Sequence, residues 1–334
     1  MNITVYGAGA IGGTAGAFAS LAGENVTMVD KVAEHVIAMN EEGLRITGVR
    51  GEMTANVHAI QPEQLEGYLE TVFLAVKSQD TEDALEVLAP HVGPETTVVS
   101  LQNGINEPLI AGKIGAQRTV GCFVNWAADY EAPGHVEYKG AGHCYIGEID
   151  GAISRRAIRI QKVLSNTCTA YVTNNVYGYL WSKEVSGPIL MCNALGVSGL
   201  ADMLAVPRYQ PAYLALILEA IAVAQAAGIK LEQFPGFDPF ALQNATPEQA
   251  YRLFDDWVEF RRVHEKSHSG PWRDIAVRHR PTEVDYLTGV IVQKGNELGL
   301  PTPLNQRLLS LVKEVESGAR PQRDDNMLEF DDLL

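Results

Sequence analysis

The glycines of the opening segment constrain this chain more than anything else in it. An apolar run from Met1 to Tyr6 leads straight into Gly7-Ala8-Gly9-Ala10-Ile11-Gly12, and a second apolar run, Asn25 to Val29, ends at Asp30. A strand feeding closely spaced glycines and then an Ala-rich helical stretch, Gly13 to Leu21, is the layout of a dinucleotide site. Gly7 permits the tight turn, Gly9 lets the main chain approach a pyrophosphate, and Gly12 lets the helix pack closely on its sheet. The first-turn N–H groups, around Ala10 and Ile11, then face the anion. Asp30 offers its carboxylate to the adenosine ribose hydroxyls and repels a 2′-phosphate, which favours NAD over NADP. Lys31 is the counterweight, a cation able to offset a phosphate charge.

With 334 residues the chain is long enough for two cores. A net charge of −15 and a pI near 5.0 argue against a nucleic-acid groove, because phosphate affinity comes from clustered Lys and Arg. A metabolic enzyme acting on a small molecule is the better class. The sequence shows no secretory leader and no uninterrupted apolar span of about 18 residues, so the expectation is a cytoplasmic protein without membrane contact. Cys122, Cys144, Cys168 and Cys192 are scattered, and the histidines form no H-E-x-x-H pattern. No metal site is expected.

Strand and helix patterns alternate through the first half. The segment around His35 to Gly43 reads as helical and Leu44 to Val57 as short strands. Thr71 to Val76 is a buried-strand pattern ending at Lys77, followed by a helical pattern at Ala84, Leu85, Val87 and Leu88. Thr96 to Leu101 is a second such strand, ending at Gln102-Asn103-Gly104, and Val120 to Trp126 is a third. This is the βαβ rhythm, and ligands gather outside the carboxyl ends of such strands, where Lys77 and Asn103 fall. Glycines around alternating His135 to Tyr138 predict a hairpin within Ala132 to Gly147. Beyond about residue 180 the pattern turns helical, with long stretches at Tyr213 to Ala227 and Thr282 to Leu298. The expected division is a dinucleotide-binding domain over 1–175, a helical substrate and dimerisation domain over 176–320, and a loosely ordered tail over 321–334.

Three polar groups in the second half carry candidate chemistry. Lys183, in Leu180-Trp181-Ser182-Lys183-Glu184, falls on or near a helix and has the chemistry to protonate a carbonyl oxygen as hydride arrives; an ordinary surface lysine is the plain alternative. Glu283 is expected in the first turn of a helix beginning at Thr282, where the helix end favours an anion, either orienting a substrate group or serving as a cap. The stretch His264 to Arg280 gathers cations, with Arg273 suited to a planar carboxylate and Ser269 a hydrogen-bond donor. The same stretch reads equally well as a basic loop paired with acidic surface.

Taken together, Gly7-Ala8-Gly9-Ala10-Ile11-Gly12, Ala75-Val76-Lys77, Leu101-Gln102-Asn103-Gly104, Trp181-Ser182-Lys183 and Thr282-Glu283-Val284-Asp285-Tyr286 resemble the ketopantoate reductase (2-dehydropantoate 2-reductase) family along nearly the whole chain. The resemblance implies an α/β Rossmann-type N-terminal domain plus a mainly α-helical C-terminal domain, with the active site between them and a homodimer as the assembly. It implies an NAD(P)H-dependent reduction of a small anionic 2-keto acid in pantothenate biosynthesis, with Lys183 as general acid and Glu283 binding the substrate hydroxyl. It further implies that Asn103 orients cofactor and substrate and that Lys77 is a cofactor-side or hinge contact.

The chain departs from the family pattern at three places. Gly187 and Met191 stand where the family carries asparagines, leaving Asn193 as the nearest replacement; Asp30 stands where NADP-preferring members carry a basic residue; and the stretch around Ser269 is unusually cationic. These departures fit a relative acting on another 2-keto acid, and a nucleotide-sensing or scaffold protein without turnover is the alternative of a different class.

Overall fold

The strands of the N-terminal half lack polar alternation because both of their faces are covered: Ile3, Thr4, Val5 and Tyr6 are all buried, as parallel sheets flanked on both sides require. The computed structural model describes residues 1–264 and 267–334. The chain divides into two compact units, Met1–Val176 and Tyr177–Leu334.

The first unit runs β1 (Asn2–Tyr6), α1 (Ala10–Leu21), β2 (Asn25–Val29), α2 (Ala33–Glu42), β3 (Leu44–Gly48), β4 (Met53–Ala55), β5 (His58–Ile60), β6 (Thr71–Leu74), α3 (Thr81–Leu88), β7 (Thr97–Ser100), α4 (Glu107–Ile114), β8 (Thr119–Val124), β9 (Ala127–Ala132), β10 (His135–Gly140), β11 (His143–Glu148), α5 (Arg155–Leu164) and β12 (Thr169–Val172). One sheet has the order β12-β11-β8-β7-β6-β1-β2-β5, with every neighbouring pair parallel except β8 and β11. A smaller sheet has the order β4-β3-β10-β9.

Helix α1 packs against both sheets, and its small residues are the reason it fits. A Cβ on Gly12 would lie 2.8 Å from Ala75 Cβ and 2.9 Å from Val5 Cγ1, whereas one on Gly13 would lie 3.2 Å from Val136 Cγ1 on β10. A helix covered on two sides has no polar face, so its sequence shows an Ala/Gly run instead of an amphipathic stripe.

The expected hairpin within Ala132 to Gly147 needs correction. β10 pairs antiparallel with β9, while β11 pairs antiparallel with β8 in the other sheet. The chain crosses between sheets at Gly142 (φ +37°), where a Cβ would stand 1.7 Å from the Asn125 carbonyl oxygen. Alternation in β10 was legible; that β10 pairs back onto β9 and onto β3 while β11 returns to β8 was not, because alternation encodes a strand's faces and not its partner.

The second unit is helical among its described residues, apart from a β-bridge between Phe234 and Phe237. It contains α6 (Val176–Asn193, whose first residue closes the first unit), α7 (Leu200–Leu204), α8 (Gln210–Ala226), α9 (Pro239–Gln243), α10 (Pro247–His264), α11 (Gly270–Ala276), α12 (Thr288–Leu298) and α13 (Pro303–Glu316). No helix among the described residues is long and apolar enough to cross a membrane. All four cysteines are buried and free.

The tail is ordered, contrary to what its polar composition predicts. Asp324–Leu333 forms 3₁₀ turns that bury Met327 and Phe330. Its polar groups satisfy the backbone that follows α6: Asp324 Oδ1 accepts the N–H groups of Val197 (2.8 Å) and Ser198 (3.0 Å), and Asn326 Nδ2 donates to the Leu195 carbonyl (2.9 Å). Burial pushes the Asp324 carboxyl up, but the hydrogen bonds from Ser198 and Val197 outweigh it and hold the group below its ordinary range. Phe330→Ala is therefore expected to destabilise the protein by about 3–5 kcal/mol, measured by urea unfolding; a change within experimental error would mean the tail is not part of the core.

Candidate functional site

The glycine loop is shaped by β1 and β2. Gly7 has φ +96°, and its N–H donates to the Val29 carbonyl at 2.8 Å. A side chain there would meet the Val76 backbone at 2.8 Å, and one on Gly12 would stand 2.1 Å from the Gly7 carbonyl oxygen. Gly9 differs from both: a Cβ built on it meets nothing within 4 Å. Its side faces open space, and no side chain caps the N-terminus of α1. An uncapped helix end behind a bare glycine is an anion cradle, so these residues fit a dinucleotide pyrophosphate. Ala10 and Ile11, both half-buried, open the helix at this point.

Asp30, directly after β2, is half-buried, and its carboxylate already holds the loop together. Oδ2 accepts the Ala8 N–H at 3.0 Å, and Oδ1 accepts the Val32 N–H at 2.9 Å. Lys31 is exposed and pairs with Asp80 at 3.1 Å, an exposed contact of little energetic weight.

Lys77 and Asn103 follow β6 and β7, and a network that sequence reasoning missed joins their loops. Ser78 Oγ donates to the Asn103 carbonyl (2.8 Å), Asn106 Nδ2 donates to Ser78 Oγ (3.0 Å) and to the Asn103 carbonyl (2.7 Å), and Gln102 Nε2 donates to the Val76 carbonyl (3.0 Å) and to Thr81 Oγ1 (2.7 Å). Ser78, Gln102 and Asn106 are buried, whereas Asn103 is exposed and Lys77 half-buried. The only sequence signal for this network was polar residues directly after apolar strands.

Beneath it lies Glu107, the first residue of α4 and 1% exposed. Burial pushes its carboxyl up to about 7, against opposing hydrogen bonds from its own and the Asn106 backbone and from Ser100; one carboxyl oxygen, Oε2, has no hydrogen-bond partner among the described residues.

In the second unit, α6 carries Lys183 half-buried between the buried Ser182 and Glu184. Ser182 Oγ accepts the Glu232 N–H at 2.9 Å, and Ser186 Oγ donates to the Lys183 carbonyl at 2.7 Å. The helix continues through Pro188. Gly187, one turn beyond Lys183, has nothing within 4 Å of a Cβ position.

Two expectations in this unit are corrected. Glu283 does not stand in the first turn of a helix: α12 begins at Thr288, and residues 283–287 form a turn in which the Glu283 carbonyl accepts the N–H groups of Tyr286 (2.9 Å) and Leu287 (3.1 Å). The turn is pinned because Thr282 donates its N–H to Glu316 Oε1 (2.7 Å) and Val284 is buried. The half-buried Glu283 thus sits on a braced turn without support from a helix end.

Asn193 is fully buried, with both ends of its amide bonded inside the unit: Nδ2 donates to the Ser198 carbonyl (3.0 Å), and Oδ1 accepts the Ser269 N–H (2.9 Å). It braces the fold where a substrate contact was expected. Ser269 is likewise a helix cap, its Oγ accepting the Trp272 N–H at 3.2 Å. Arg273 lies half-buried on α11. Much of the basic stretch is structural: Arg278 and Arg280 both pair with the buried Asp274, at 3.2 and 2.9 Å, and His268 stacks on Trp272. Glu265 and Lys266, and the side chain of His264, lie outside the described residues.

The model of the family described as Ketopantoate reductase PanE/ApbA matches residues 3–151, and that of its C-terminal region matches residues 175–316. The chain belongs to the ketopantoate reductase PanE/ApbA family. It is 29% identical over 321 residues to a 2-dehydropantoate 2-reductase of Archaeoglobus fulgidus, covering 95% of this chain and 98% of that one. A PanE/ApbA family ketopantoate reductase from Ralstonia eutropha JMP134 has a TM-score of 0.80 at 24% identity, covering 95% and 99% of the two chains. A D-mandelate dehydrogenase in complex with NADH has a TM-score of 0.79 at 25% identity, again covering 95% and 99%. The protein is accordingly an NAD(P)-dependent oxidoreductase of 2-keto and 2-hydroxy acids with a Rossmann nucleotide-binding unit.

Two substitutions separate packing from binding at the glycine loop. Gly9→Ala is expected to leave Tm nearly unchanged but weaken NAD(P)H binding on the order of tenfold, about 1.4 kcal/mol, whereas Gly12→Ala lowers Tm itself; calorimetry and dinucleotide titration read the two effects. Glu107 carries a pH signature. Because its carboxyl is raised in the folded state from 4.5 to about 7, its favourable contribution is complete below the unfolded value and is lost as pH rises through that window. Glu107→Gln is expected to be near neutral at pH 5 and to stabilise by on the order of 1–3 kcal/mol at pH 8; a Tm difference from wild type that does not vary with pH would contradict this.

Proposed function

We propose that this chain reduces ketopantoate to pantoate with NAD(P)H. The observation that carries the reading is a half-buried lysine, Lys183, held on a braced helix at the position matching the family's general acid, in a chain that aligns over 95% of its length with a 2-dehydropantoate 2-reductase. The glycine loop from Gly7 to Gly12 would hold the pyrophosphate, and Asp30 would receive the adenosine ribose hydroxyls, which favours NAD. Asn103 and Lys77, which follow strands at the carboxyl edge of the sheet, would contact the nicotinamide end.

Reduced nicotinamide supplies the hydride. Lys183 gives a proton to the oxygen of the carbonyl that accepts this hydride, so the ketone becomes an alcohol and a neutral amine remains. The Glu283 carboxylate accepts a hydrogen bond from the substrate hydroxyl, and Arg273 pairs with the substrate carboxylate.

One observation favours a second reading, a different 2-keto acid. The open space at Gly187, one turn from Lys183, leaves room for a bulkier substituent, while the amide of Asn193 is engaged inside the fold. A D-mandelate dehydrogenase shares the architecture, which makes an aromatic 2-keto acid such as phenylglyoxylate the natural comparison.

Nicotinamide absorbance with NADH and NADPH should be followed against ketopantoate, phenylglyoxylate and a dicarboxylic 2-keto acid. The expected result is ketopantoate turnover that falls by about 10²–10⁴ in kcat for Lys183→Ala. Turnover of phenylglyoxylate without ketopantoate would select the second reading, and dinucleotide binding without turnover of any acid would indicate a nucleotide-sensing protein.

A further inference from the structure

One buried histidine in the first unit touches the glycine loop directly. His35, on α2, is 1% exposed and bridges two backbone groups that are far apart in sequence. Its Nδ1 lies 2.8 Å from the Gly134 nitrogen, and its Nε2 lies 2.9 Å from the Ala8 carbonyl oxygen. The Gly134 N–H can only donate, so Nδ1 accepts; the ring proton therefore sits on Nε2 and is donated to Ala8. The ring packs edge-on against Tyr130 of β9, with centroids 5.1 Å apart. Gly134 is equally constrained: its φ is +72°, its carbonyl accepts the Arg45 N–H at 2.9 Å, and a Cβ on it would press on Ala38 of α2 at 2.9 Å.

We propose that His35 is a positioning residue for dinucleotide binding, aiming the Gly9 N–H by holding the carbonyl of the same peptide unit. The peptide between Ala8 and Gly9 is planar and trans, so its C=O and N–H point in opposite directions. Fixing the Ala8 oxygen on His35 directs the Gly9 N–H away from α2. The Ala8 N–H is held in turn by Asp30 Oδ2 at 3.0 Å, so both polar backbone groups of the residue between the first two glycines are clamped. A loop fixed in this way meets the pyrophosphate without a further ordering cost, which strengthens binding through preorganisation. The small sheet acquires a role as well, since the turn between β9 and β10 is the anchor against which His35 is braced. This inference rests on the reading of the Gly7–Gly12 loop as a dinucleotide site.

Two variants of the full chain separate the two bonds. In His35→Asn, the amide oxygen takes the place of Nδ1 and keeps the Gly134 bond, but the side chain is too short to reach Ala8. In His35→Gln, the longer amide restores a donor to Ala8. NADH and NADPH are titrated into each variant by calorimetry, with Tm measured alongside and KM for the turned-over 2-keto acid as a control. The expected result is dinucleotide binding weakened on the order of tenfold in His35→Asn, recovery to within about threefold of wild type in His35→Gln, and an acid KM little changed in both. Equal binding by both variants and wild type, or equal weakening of both in step with Tm, would overturn the proposal.

A second measurement does not depend on a variant folding. In ¹⁵N-labelled wild type, His35 is expected to show a protonated Nε2 and an unprotonated Nδ1, and the opposite tautomer would refute the bridge. Failure of wild type to bind either dinucleotide would instead remove the reading of the loop on which the proposal stands.

Discussion

Everything in the first unit depends on how closely α1 approaches the sheets on either side of it. Gly12 lies so near the turn at Gly7 that a single methyl group would meet its carbonyl oxygen at 2.1 Å, and Gly16 leaves room for Met28, whose Cε would stand 2.3 Å from a Cβ there. Side chains of ordinary size would push the helix outward and take the uncapped first turn with it. The anion cradle therefore follows from packing: the helix sits where it does because at Gly12 and Gly16 nothing larger than hydrogen separates it from β1, β2 and Ala75. Replacing those glycines costs core stability first and ligand affinity as a consequence.

The loops around this helix are rigid for a different reason. Ala8 is held by Asp30 and His35, and the loops after β6 and β7 are cross-linked by Ser78, Gln102 and Asn106. These are buried and half-buried polar contacts, most of them joining a side chain to the backbone of another segment and one, Asn106 to Ser78, joining two side chains, so they fix geometry that hydrophobic packing alone leaves free. Glu107 is the exception in this network, an acid whose burial leaves one oxygen unsatisfied and favours its neutral form. In the second unit the same economy appears at Asn193, Asp324 and Asp274, polar groups that brace chain reversals and the basic stretch.

These bracing contacts explain which residues were legible from sequence and which were misread. The turn at Gly7 and the close packing at Gly12 were legible because the glycine spacing encodes a backbone conformation, and Lys183, expected on or near a helix, lies within α6. Asn193 was read as a replacement substrate contact, but its amide is engaged inside the fold, while the oxygen of Ser269, read as a hydrogen-bond donor, caps α11. Glu283 was placed in a helix that begins only at Thr288, because the Thr282 contact with Glu316 holds the preceding segment in a turn. His35 drew no attention as a candidate, since neither of its partners, Ala8 and Gly134, is near it in sequence.

The amino-acid order by itself determined the class of the protein: an α/β unit with a nucleotide loop, followed by a helical unit carrying a lysine and a glutamate. Periodicity and glycine placement are local properties, and local backbone preferences are enough to read them. Only the tertiary structure decided which sheet β10 and β11 join, that the polar tail is folded onto the turn after α6, and which polar side chains are consumed inside the protein. Those outcomes depend on contacts between separated segments that local pattern does not relate, as between β11 and β8, His35 and Gly134, or Val197 and Asp324. A hydrogen bond across such a distance leaves no periodic trace in the chain that makes it.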